Sequence, residues 1–162
     1  MKYKLFSKLR WIVIVLCFIC LSLVSNLTHS ADNSDFENLE QILMGYGFVV
    51  KQEIPPKLGN SQLRPYGLIN SKTKTIWINP IVFELGNARA VLIHEAVHAA
   101  QTCAGKGQIS LVNLDLEPPQ FTKPYFMRYH AYRREIEAQA YTVQVQPDAL
   151  AIVIELLEQN CS

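Results

Sequence analysis

Charge is scarce in this chain, histidine is scarcer, and cysteine beyond the first thirty residues is scarcer still. Only 18% of the 162 residues are charged, against 49% apolar, which excludes a disordered or low-complexity tail. Internal repeats and long linkers are missing, so the length allows one domain at most, built on a single hydrophobic core. A basic excess is also missing. Four of the fifteen Lys and Arg residues precede position 31 but none of the fourteen Asp and Glu residues do, so residues 31–162 carry a formal charge of −3. That balance excludes a nucleic-acid binder. The one long apolar run, Trp11 to Leu27, falls short of the ~20 apolar residues that span a bilayer, and Ser22, Ser25 and Asn26 weaken its far end.

Lys2, Lys4, Lys8 and Arg10 stand before that run and a polar stretch follows it, the pattern of an export signal. Thr28 and Ser30 are small enough to direct cleavage after Ser30, which makes residues 1–30 a signal peptide and residues 31–162 the single mature domain. The alternative is an uncleaved signal anchor, which would then be the chain's attachment to the membrane. Either way the basic flank stays in the cytoplasm and the remainder is exported, to the periplasm or beyond the cell. Cys17 and Cys20 belong to the signal segment, leaving Cys103 and Cys161. In an oxidising compartment these two are expected to form a disulfide; two unpaired cysteines are the alternative.

Phe36, Leu39, Ile42 and Leu43 make the apolar stripe of a first helix, ended by Gly45 and Gly47. A strand from Phe48 to Glu53 is expected next, then a loop marked by Pro55, Pro56, Gly59 and Pro65. Tyr66 to Ile69 and Thr73 to Ile78 flank Asn70, Ser71 and Lys72 as a hairpin. A helix without Gly or Pro runs from about Asn87 to about Cys103, another from about Tyr125 to Gln144, and a last one follows Pro147 and Asp148. Its apolar positions Ala149, Ile152, Val153, Leu156 and Leu157 suit a core-facing lid, a segment that covers the cleft or else forms part of the core. The expected fold is a small α+β domain, a short sheet with helices on one side.

The first long helix contains His94-Glu95-Ala96-Val97-His98, an HExxH motif. Residues four apart project from one helix face, so both imidazoles can reach one Zn²⁺. Random placement of the chain's four His and ten Glu residues would give roughly 0.006 such matches. A catalytic zinc needs a third protein ligand, and His130, Glu135 and Glu137 compete for that place. Glu135 shares its helix face with Ala131, Ala138, Gln139 and Thr142, mostly small residues that let helices approach closely. Glu137 falls with His130, Arg133, Arg134 and Tyr141, the setting of a solvated, charge-paired glutamate. Glu135 is therefore the preferred ligand, ahead of Glu137 and then His130. Gln101, one turn beyond His98, could bond a ligand's second ring nitrogen.

HEAVH followed by EIEAQAY resembles the gluzincin branch of the zinc metallopeptidases in its smallest, single-domain form, a minigluzincin-like arrangement covering roughly residues 66–145. In that group a Glu is followed by two residues, a small residue and often Asp or Asn; Glu135, Ala138 and Gln139 match in register, with Gln139 the departure. The absence of a third histidine at the spacing used by metzincins argues against that branch. The resemblance implies a zincin-like fold, one bound Zn²⁺ held by His94, His98 and Glu135, and Glu95 as general base in hydrolysis of a peptide or protein substrate. It also implies that Thr75 to Ile78 is an edge strand against which substrate pairs; a plain core strand with Trp77 buried is the alternative. Tyr132 is the first candidate for an oxyanion donor, with Arg128 and His130 behind it. A non-catalytic zinc-binding module that uses the same fold to bind another protein is the rival reading.

Overall fold

The computed structural model describes residues 33–57 and 64–162, and the signal segment and its cleavage position lie outside them. The domain is α+β: a three-stranded sheet and six helices among the described residues. Helix α1 occupies residues 33–45 and buries Phe36, Leu39 and Leu43, as its stripe requires. Gly47, at φ +81°, turns the chain from that helix into the first strand.

Strand β1 (Val49–Lys51) pairs in parallel with β3 (Thr75–Ile78), and β2 (Gly67–Asn70) pairs antiparallel with β3, giving the order β1-β3-β2. The expected hairpin is therefore present, with Asn70 Oδ1 accepting from the backbone N–H groups of Lys72 and Thr73 at its turn. The edge assignment is corrected. Thr75–Ile78 is the central strand, and Gly67–Asn70 is the edge beside it. The reason lies in the alternation: Ile76 and Ile78 are fully buried and β-branched, so the strand holding them gains most from pairing on both sides.

A short helix α2 (Ile81–Glu84) leads to α3 (Ala88–Ala104), which carries the HExxH motif. Helix α3 is apolar nearly all round, with Leu92, Ile93, Ala96, Val97, Ala99 and Ala100 excluded from solvent. Such a helix must be central, and it packs against β2 and β3 as well as against α5 and α6. The expected Tyr125–Gln144 helix is broken. A 3₁₀ turn (Gln120–Thr122) and α4 (Lys123–Phe126) come first, and α5 (Ala131–Gln144) begins only after His130, whose extended backbone stands at its N-cap.

Helix α6 (Ala149–Cys161) buries Ala149, Val153, Leu156 and Leu157 in the same core as α3. It is a core element and not a lid. The expected disulfide joins Cys103, at the end of α3, to Cys161, at the end of α6, with α-carbons 5.0 Å apart. Closing a loop of 58 residues in sequence removes unfolded-state entropy worth about 4 kcal/mol. Urea unfolding of Cys161→Ser, or of reduced wild type, is expected to show a loss of roughly that size without loss of native far-UV dichroism in buffer.

Candidate metal centre

His94 and His98 stand one turn apart on α3, with rings edge to face at a centroid distance of 4.8 Å. The carboxylate facing them comes from α5 and belongs to Glu137. Its Oε2 lies 3.4 Å from His94 Nε2 and 3.7 Å from His98 Nε2, while Oε1 accepts from Arg133 Nε at 3.4 Å. One donor atom from each of His94, His98 and Glu137 falls within 4.8 Å of the other two, a group that could hold a metal ion. The preference for Glu135 is corrected: Glu135 is exposed on α5 and takes no part in the cluster, and His130 is exposed at the N-cap. The solvated, charge-paired setting expected of Glu137 holds in its pairing and not in its solvation. Arg133 does pair with it and is exposed, but the carboxylate itself is buried.

Glu135 and Glu137 flank the buried stripe Ile136, Ala140 and Val143 at about 100° to either side of Ile136. Both also have an alanine three residues on, Ala138 and Ala140, so the Glu-to-small-residue spacing by itself does not separate them. Of the two alanines, Ala140 is the one wholly excluded from solvent and part of the core. Two further residues of the Glu137 side complete the signal. Tyr141 packs its ring on His94 at 4.6 Å, and Gln144 Oε1 lies 3.0 Å from His94 Nδ1. Gln144, two turns beyond Glu137 on the same face, could have been found from that spacing; it was missed.

Gln101 supports the second histidine as expected, its Oε1 lying 2.6 Å from His98 Nδ1. Gln139, the departure from the family pattern, does not touch a ligand. It accepts from Gln101 Nε2 at 2.9 Å and so acts one residue removed. An amide side chain thus stands against each Nδ1, leaving the two Nε2 atoms on the side of Glu137, where a metal ion would take their lone pairs. Two neutral imidazoles and one carboxylate on a shared point are donors that fit a divalent transition metal. Tyr132 is corrected as an oxyanion donor, since its hydroxyl donates to the Ile109 carbonyl and its side chain is exposed.

Electrostatics match the geometry. Burial by itself would raise the pKa of Glu137, but the two imidazoles that face its Oε2 hold it well below the usual carboxylate range. Burial likewise opposes the charged form of His98, yet the Glu137 carboxylate, with Glu95 behind it, leaves its pKa raised. Glu95, between the histidines, is buried, and that burial outweighs the attraction of both imidazoles and pushes its pKa up. Its carboxyl lies against strand β2: a β-carbon placed on Gly67 would come within 2.5 to 2.9 Å of Glu95 Oε1, Cγ and Cδ. Only glycine there leaves room for the glutamate.

Comparison of the chain with protein-family models, with curated proteins and with solved structures yields no match. The cluster therefore rests on its own geometry.

Two outcomes follow. Glu137→Ala is expected to weaken zinc binding by more than the about 10- to 100-fold that loss of a supporting hydrogen bond costs, and Glu135→Ala to leave it unchanged, by competition titration with a chromophoric chelator. Because His98 holds its proton above the ordinary histidine range and Glu137 stays ionised, zinc must displace protons from imidazole and not from carboxylate. Affinity should thus rise with pH between about pH 6 and pH 8, with net proton release seen by calorimetry in buffers of different ionisation enthalpy.

Proposed function

We propose that this chain is an exported zinc-dependent peptidase of zincin-like fold, akin to the small gluzincins, with His94, His98 and Glu137 as ligands and Glu95 as general base. One observation carries the reading: two ring nitrogens and a carboxylate oxygen converge from separate helices while a second buried carboxylate, Glu95, stands between the two histidines in sequence and close to both in charge interaction. Zn²⁺ is the ion that a His₂Glu donor set suits, and when bound it supplies Lewis acidity toward water and toward a peptide carbonyl.

The chain's own residues supply the rest. A carboxyl with a raised pKa is matched to proton transfer near neutrality, so Glu95 takes a proton from the attacking water and delivers it to the departing amine. Gly67 keeps the strand backbone close enough to hold that carboxyl in place. Strand β2, an edge of the sheet beside Glu95, offers unpaired main-chain groups to an extended peptide or protein substrate. Tyr141, its ring on His94, replaces Tyr132 as the donor available to a developing oxyanion. The Cys103–Cys161 bridge is compatible with an oxidising compartment, which supports export. No helix among the described residues is long and apolar enough to cross a membrane.

Glu95→Gln is expected to keep its zinc and lose about 100-fold or more in kcat on a quenched peptide library. Zinc bound equally by wild type and variant, with cleavage by neither, would establish instead a non-catalytic zinc-binding module that docks another protein. Gly67→Ala should also retain zinc while lowering kcat, by up to about 100-fold, because the added methyl displaces the Glu95 carboxyl.

A further inference from the structure

The two amides that face the histidines are themselves held very differently. Gln144 reaches His94 through Oε1, and its side chain makes no other hydrogen bond among the described residues. Gln101 is fully buried with both ends engaged. Its Oε1 faces His98 Nδ1 at 2.6 Å, and its Nε2 donates to the Ile136 carbonyl at 3.0 Å and to Gln139 Oε1 at 2.9 Å. Gln139 in turn is gripped by one backbone residue: the Val112 N–H donates to its Oε1 at 3.2 Å, and its Nε2 donates to the Val112 carbonyl at 2.7 Å.

The direction of this chain is decided at Val112, because a peptide N–H cannot accept and a carbonyl cannot donate. Turning Gln139 over would set oxygen against oxygen and N–H against N–H at Val112. Turning Gln101 over would set its oxygen against both the Ile136 carbonyl and Gln139 Oε1, losing two buried hydrogen bonds. Gln101 must therefore present an oxygen to His98, and a ring nitrogen facing that oxygen must carry the hydrogen. Glu137 pulls the other way, since its Oε2 near His98 Nε2 favours a hydrogen on that nitrogen.

We infer that the relay Val112–Gln139–Gln101 fixes His98 as the Nδ1–H tautomer in the metal-free protein, against the pull of Glu137, so that its Nε2 lone pair is ready for a metal ion. Gln101 and Gln139 are positioning residues, and the loop that bears Val112 is part of the metal centre's support. His94 lacks such a relay, and its amide partner can turn over without losing a second hydrogen bond. The tautomer assignment stands apart from the peptidase reading; only its consequence for zinc affinity rests on that centre binding metal.

The test is a long-range ¹H–¹⁵N correlation spectrum of the metal-free protein at about pH 9, where neutral imidazole predominates and the two ring nitrogens separate by tautomer. Wild-type His98 is expected as Nδ1–H. Gln101→Met should move it to Nε2–H and lower zinc affinity by about 10- to 100-fold, and Gln139→Met should shift both in the same direction by less. An Nε2–H tautomer in wild type overturns the inference, as does either folded variant with unchanged His98 shifts. If Gln101→Met does not fold, wild type and Gln139→Met decide it. An Nδ1–H signal in a wild-type protein that binds no zinc would leave the relay standing and remove the metal-centre reading.

Discussion

The close seating of α5 on α3 is the contact on which the rest of the site depends. It drives a carboxylate, Glu137, into a buried position beside two imidazoles of the HExxH helix. A charge in that position is costly unless paired and hydrogen-bonded. The same contact provides the compensation: Arg133 takes one carboxylate oxygen, and the imidazoles face the other. It also brings the Ile136 carbonyl and Gln139 to Gln101, so that the Glu137 carboxylate and the groups that hold Gln101 arrive together on one helix. Ala140, on the same helix, is wholly excluded from solvent and belongs to the core.

Where α3 carries Glu95, the sheet performs the complementary task. Gly67 on β2 leaves space for Glu95, and the edge of the sheet runs past that carboxyl. Behind both, α6 fills the core and is clamped by the Cys103–Cys161 bridge to the end of α3. Helix α3 is thus held by the sheet, by α5 and α6, and by a covalent bond at its end. A rigid helix keeps two imidazoles in register, and a site whose donors are already placed loses less entropy on binding.

Much of this was legible in the residues. Periodicity marked the long helices, alternation and turn residues marked the hairpin, and an even cysteine count marked the bridge. The two histidines and Gln101 could be placed together because they lie within two turns of one helix, where spacing alone determines which side chains share a face. The α5 start was misread because Pro124 and the residues through His130 permit either a continuous helix or a break, and the chain breaks.

By itself the sequence determined the local geometry: an HExxH pair on one helix, a carboxylate-bearing helix downstream, and a cysteine at each end of a 58-residue interval. Only the tertiary structure decided between Glu135 and Glu137, and between Thr75–Ile78 and Gly67–Asn70 as the edge. The reason is the same in both cases. Two flanks of a helix stripe, or two strands of a hairpin, are equivalent in their own periodicity, and what separates them is the angle and side from which another element packs. That angle is set by long-range contacts, such as Ala140 against its neighbours, which no short window of residues contains.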